Sequence, residues 1–160
     1  MGQAELDDYG RILYLTKDVW PEFISCVLAV REDVIQSDRA KVQALVGGIA
    51  RSGVLLDRNM NNRMQAAPFV SRDDYHQDPR LLEFVLSKPP DRVKSTNLSV
   101  RRPDFEEIER YAKASGILDG TAHFDDYCDP SFVPPGATIE VLNFQDDESF
   151  RRAREKGLIR

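Results

Sequence analysis

Apolar positions are distributed in two ways along this chain. Up to about residue 31 they form short consecutive runs; from about residue 38 they recur at helical spacing. Ile12, Leu13, Tyr14 and Leu15 predict a short strand over Tyr9–Leu15. Ile24–Arg31 contains the run Cys26-Val27-Leu28-Ala29-Val30, β-branched at two positions and far too short for a membrane span, and it predicts a buried strand. Thr16–Phe23 joins the two runs as a polar corner carrying Lys17, Asp18, Trp20, Pro21 and Glu22, and Pro21 stops a helix from running through it. Leu15–Asp33 is therefore the stretch around which the chain is organised: a strand that delivers a polar corner to a helical body.

The helical period begins at Ser37 or Asp38, either of which can cap a helix over Asp38–Leu56. Val42, Leu45, Val46, Ile49 and Val54 form its apolar face, and Gly47-Gly48 implies close packing against another element. The glycine pair lacks a phosphate-loop pattern. Asn59–Asn62 caps a second helix over Asn62–Val70, weakened at its end by Pro68, and Ser71–Asp74 reads as another helix start. Asp78-Pro79 is a cap with proline at the first helical position, leading into Arg80–Leu86 with Leu81, Leu82, Val85 and Leu86 on its buried side; Pro89-Pro90 ends it. Asp91–Arg102 is irregular and anchored by Val93, Leu98 and Val100. A helix then starts at Pro103-Asp104, with Asp104 and Glu107 at capping-box spacing, Phe105, Ile108 and Ala112 on one face, and Gly116 as a left-handed C-terminal cap. His123–Val133 accommodates one helical turn. Beyond Pro134-Pro135-Gly136, Thr138–Phe144 predicts a strand and Asp146–Lys156 a charged helical tail with Phe150 as its apolar contact. The expected fold class is α/β, helix-rich.

Charge and composition narrow the function classes. With 22 basic and 27 acidic residues the net charge is −5. No one-sided basic surface is visible for nucleic acid, so nucleic acid is excluded as a partner; Arg101-Arg102 reads as a solvated helix entrance. Met1–Gly10 is polar and acidic, without the apolar core of a secretory signal, and as written the chain is expected to be cytoplasmic. Cys26 and Cys128 have no metal-binding or redox spacing, and a disulfide between them stays open.

Candidate chemistry is sparse. No nucleophile–base pair stands out, so no enzymatic activity is assigned and no catalytic residue is named. His123 beside Cys128 is a local pairing only, with an ordinary buried thiol as the plainer reading. His123, Asp125, Asp126 and Asp129 have metal-ligand types but not an EF-hand spacing, and they read as a solvated acidic turn; no metal and no cofactor are assigned. Glu106 and Glu107 are adjacent on a helix and point apart. The better candidate is the corner, where an indole beside a proline and flanked by charges can line a pocket for a small anion or polar solute. Lys17, Asp18 and Trp20 are its ligand-binding candidates; the alternative is Trp20 as core filler with Lys17 and Asp18 as solvated turn residues.

Several segments in order carry a resemblance: LTKDVWPEFISCVLAVRED, DRAKVQALVGGIARSG, YHQDPRLLEFVLSKPPDRVKSTNL, PDFEEIERYAKASGIL and HFDDYCDPSFV. Together, from about Gly10 to Val133, the chain resembles the nitrate/sulfonate/taurine-type substrate-binding proteins of bacterial ABC transporters. The resemblance implies the C-terminal part of a type II periplasmic-binding fold with its first lobe absent. Residues 1–133 would be a partial solute-binding domain, with Leu15–Asp33 as the crossover strand, and residues 134–160 a charged extension. It implies non-covalent capture of a small-molecule solute for import, with an ABC transporter permease as partner if the full protein is exported, and a periplasmic or membrane-anchored location for the family. A cytoplasmic regulatory module derived from this fold, working through a partner or through self-association, is the alternative. A missing lobe would leave apolar surface uncovered and favour a homodimer.

Overall fold

The computed structural model describes residues 2–21, 23–71 and 76–137. The expected strand over Thr138–Phe144 and the helical tail over Asp146–Lys156 lie outside these residues, as do Glu22 and most of Ser71–Asp74. Eight α-helices occur in the described residues: α1 (Gly2–Leu6), α2 (Thr16–Val19), α3 (Glu32–Ser37), α4 (Arg39–Arg58), α5 (Met60–Val70), α6 (Pro79–Ser87), α7 (Arg102–Ala114) and α8 (Phe124–Tyr127), followed by a single 3-10 turn at Pro130–Phe132.

There is no strand among the described residues, and the α/β expectation is corrected there to a helical architecture. Tyr9–Leu15 and Ile24–Arg31 run without regular structure. In the second segment Val27 and Leu28 are 63% and 50% exposed rather than buried. The physical reason is pairing: a β-branched run becomes a strand only against another strand, and the described residues supply none.

The chain divides into two compact units. The first comprises residues 2–15, 49–97 and 135–137. Here α6 packs against both α1 and α5. Its core is only partly apolar: Ala50, Met60 and Ala67 are buried beside Asp57, Arg63, Ser71, Ser87 and Thr96. Asp57 closes the C-terminal part of α4, and Arg63 lies one turn into α5. They pair at 2.5 Å with side chains 0% and 1% exposed. All five guanidinium N–H groups of Arg63 have acceptors: Nε donates to the Leu56 carbonyl, Nη1 to those of Leu86 and Pro90, and Nη2 to Asp57 and the Val93 carbonyl. The second Asp57 oxygen accepts from the Ser95 N–H at 2.7 Å and the Thr96 hydroxyl at 2.9 Å. Such a pair is tolerated in a dry interior only because every polar atom is matched.

The α4 face differs from the expected one. Its buried positions include Val42, Gly47, Ala50, Gly53 and Asp57, while Leu45 and Ile49 are half exposed. Of the glycine pair expected to pack closely, Gly47 is buried, while a side chain at Gly48 would meet open space. A close approach occurs at Gly53, where a Cβ would collide with the Ser95 carbonyl oxygen. Glycine at this position lets the backbone that Asp57 anchors lie directly on the helix. Asn59 caps α5 by accepting from the Asn62 N–H at 2.8 Å, so the helix starts two residues earlier than expected. Asp78 caps α6 with Pro79 in the first turn, as the sequence implies. Between α6 and α7, Thr96 is buried while Val93 and Leu98, two of the expected anchors, are exposed.

The second unit comprises residues 16–48 and 98–134. Phe105 on α7 packs against Phe124 and Tyr127 of α8, with ring centroids 5.8 and 6.5 Å apart. Arg39, at the start of α4, lies 4.0 Å above the Phe132 ring and pairs with Asp129 at 3.3 Å. Gln43 donates to the Phe132 carbonyl. The expected capping box at Asp104 does not form. Arg101 is the cap residue, and its guanidinium grips Asp104 through two 2.8 Å bonds. Gly116 does take the left-handed conformation (φ 71°). The N–H groups of Gly116 and Ile117 then close onto the carbonyls of Lys113 and Ala112, the Schellman pattern.

Two outcomes follow from this packing. Arg63→Ala takes the charge partner from Asp57 and the donor from four backbone carbonyls, those of Leu56, Leu86, Pro90 and Val93, and chemical denaturation is expected to show a loss of about 3–5 kcal/mol. On α7, the Lys113 ammonium, helped by the Ala122 N–H, holds the Glu109 carboxyl below its usual range. Its stabilisation is therefore complete above the unfolded carboxyl pKa and is lost as pH falls through the lower folded value. In urea titrations across pH, the advantage of the wild type over Glu109→Gln is expected to be constant above about pH 5 and to shrink below about pH 4.

Candidate functional site

The corner named by the sequence lies in the second unit. Lys17 and Asp18 fall on α2, where a 3.0 Å ion pair joins these adjacent and partly exposed side chains. Trp20 turns away from that pair toward α7. Its indole N–H donates to Glu107 at 2.8 Å, and its ring packs 4.9 Å from Phe23 and 5.0 Å from Tyr111. Arg110 covers the Tyr111 ring at 4.2 Å. Lys17 is thus brought to Asp18, while Trp20 is fastened to Glu107, the residue whose expected role was at the helix cap.

The acidic turn is likewise taken up by neighbours. Asp125 pairs with Arg102 at 2.6 Å, and Asp129 accepts from Ser131 and Arg39. Among the described residues no group of three or more His, Cys, Asp or Glu side chains is placed to hold a metal ion. Cys26 and Cys128 are both free thiols, and burial pushes the Cys128 thiol up. No helix of the described residues is long and apolar enough to cross a membrane.

A cavity with mixed charge opens in the first unit, with a volume of about 510 Å³. One wall is Glu5 of α1 and the turn that follows, with Asp8, Gly10, Arg11 and Ile12. The other is the end of α6, Phe84 and Ser87, continued by Lys88, Pro89, Pro90 and Arg92. The Lys88–Pro89 peptide is cis. Asp8 holds the turn in left-handed conformation (φ 58°), and the N–H groups of Asp8 and Tyr9 cap α1 through the Glu5 and Ala4 carbonyls. Three cations and two carboxylates face this space around a single aromatic ring. Lys88 and Arg92 both approach that ring, at 5.5 and 5.4 Å from its centroid. The Arg63 hub sets the second wall, because the carbonyls it grips, Leu86, Pro90 and Val93, bracket Ser87–Arg92.

Sequence reasoning missed this cavity. Its residues are scattered charges in two segments some eighty positions apart, one read as a polar, acidic start followed by a strand and the other as a helix terminator. Pro89-Pro90 beside Lys88 and Arg92 was the available signal: a rigid, non-helical segment carrying charge.

Removing the indole N–H tests the corner's structural role. Trp20→Phe removes the indole donor to Glu107, which keeps Arg110 at 3.6 Å and access to water, and circular-dichroism melts or urea titrations are expected to show a loss of about 0.5–1.5 kcal/mol, the range for one typical hydrogen bond.

Comparison with known proteins adds one similarity. The NMT1-like family matches over residues 2–71, a stretch that holds the corner, α4, all of α5 and the first wall of the cavity. No curated protein and no solved structure matches the chain. The similarity supports a substrate-binding family of the nitrate, sulfonate and taurine type over just under half of the chain, without singling out a member or a portion of such a protein.

Proposed function

We propose that this chain is a solute-binding component of an ABC-type importer, capturing a small anion or polar organic solute such as nitrate, a sulfonate or taurine without covalent chemistry. The observation that carries this is the mixed-charge cavity, one wall of which, Glu5 to Ile12, lies within the residues similar to the NMT1-like family. A concave site with an aromatic surface and a few convergent charges suits reversible capture of a small polar molecule. In this reading Arg11 and Lys88 supply the field that attracts an anion, Phe84 the apolar surface, and a membrane permease is the partner that receives the solute. Lys17, Asp18 and Trp20 are the alternative contact set. A second reading, a regulatory module acting through self-association, draws on exposed apolar side chains such as Leu13 and Ile117, which are 91% and 82% exposed.

Titration calorimetry with nitrate, ethanesulfonate and taurine tests the proposal. At least one is expected to bind, and Arg11→Ala and Lys88→Ala are each expected to weaken it about tenfold, the effect of one charge-assisted contact. Binding that survives both changes and is lost in Lys17→Ala moves the site to the corner. Silence from all three solutes, with a dimer in sedimentation, favours the regulatory reading.

A further inference from the structure

Within the cavity wall, the Glu5–Arg92 pair is incompletely matched. The Arg92 side chain is only 9% exposed and that of Glu5 22% exposed, and Glu5 Oε2 lies 2.8 Å from Arg92 Nη2. That approach is not aligned as a hydrogen bond: neither Glu5 Oε2 nor Arg92 Nε has a hydrogen-bond partner, and both atoms are shielded from solvent. Arg63, in the same unit, shows the contrast, with an acceptor for every N–H. A buried donor or acceptor left without a partner is costly, so the pair gains from any ligand that supplies what each member lacks. Arg92 lacks an acceptor along its Nε edge, where a carboxylate can bind as a fork across Nε and Nη2. Glu5 Oε2 has Arg92 as its ion-pair partner but no aligned donor, and a carboxylate released from Arg92 can take an ammonium group. The Phe84 ring, within 5.5 Å of both Lys88 and Arg92, offers a surface for a short carbon stem.

We propose that the Glu5–Arg92 pair is an exchangeable site for a small zwitterion, a carboxylate and an ammonium group on a short stem, the carboxylate taking Arg92 and the ammonium taking Glu5. This rests on the solute-binding reading and narrows it to a ligand of both charges. A simple anion would match Arg92 and leave Glu5 buried and alone; a simple cation would do the reverse.

Calorimetry on the full chain with β-alanine, propanoate and propylamine separates the cases. β-Alanine is expected to bind at least about tenfold more tightly than either singly charged analogue. Glu5→Gln is expected to remove its preference over propanoate, and Arg92→Lys, which keeps the charge but not the fork, to weaken both carboxylates. Propanoate binding as tightly as β-alanine in the wild type overturns the zwitterion assignment. So does a lower melting temperature in both variants with the β-alanine to propanoate ratio unchanged, the mark of a purely structural pair. No heat from any of the three also overturns it; if nitrate, ethanesulfonate and taurine still bind, solute capture survives, and if they are silent too, it falls as well.

Discussion

Arg63 sits in the interior of the first unit with a full set of acceptors, and much of that unit follows from satisfying it. The guanidinium needs five acceptors, and one carboxylate and four backbone carbonyls supply them from α4, α6 and the loop beyond. A charge moved out of water is stable only when its partners are fixed in place. Each partner therefore has to hold position: Asp57 by its bonds to Ser95 and Thr96, and Leu86, Pro90 and Val93 by the course of the chain. Gly53 belongs to the same constraint, because the Ser95 backbone reaches Asp57 only where α4 has no side chain.

The hub also explains why a cavity can exist in so small a unit. The segment from Ser87 to Arg92 has little regular structure, yet Arg63 grips it on both sides. It can then present Lys88 and Arg92 without a sheet or long helix beneath them. The contrast between Arg63, completely matched, and Arg92, whose buried Nε has no hydrogen-bond partner, is what the proposed exchange site rests on. Among the described residues of the second unit no buried side-chain polar atom lacks a hydrogen-bond partner: Arg39, Arg102 and Glu109 each have ion-pair partners, and the Trp20 N–H is taken by Glu107.

Local signals in the sequence were legible where the chemistry is local. The long helix at Arg39–Arg58, the Asp78-Pro79 start of α6 and the left-handed Gly116 all depend on residues a few positions apart, and they occur where expected. The strands at Tyr9–Leu15 and Ile24–Arg31 did not form, because β-propensity needs a partner strand that local sequence cannot supply. The Asp104 cap failed for a related reason: Arg101 competed for its carboxylate and left the backbone to start the helix without it.

The sequence by itself determined the helical character of most of the described chain, the positions of its principal helices and the sparse inventory of groups available for chemistry. Periodicity, caps and prolines act over one or two turns, so they can be read residue by residue. Tertiary structure alone decided which charges were buried, which glycine faced a neighbour and where a cavity formed. Asp57 and Arg63, like Glu5 and Arg92, are ordinary surface-type residues in a linear reading. Only the meeting of distant segments excludes water from them, and that exclusion turns a charge into either a structural hub or a place for a ligand.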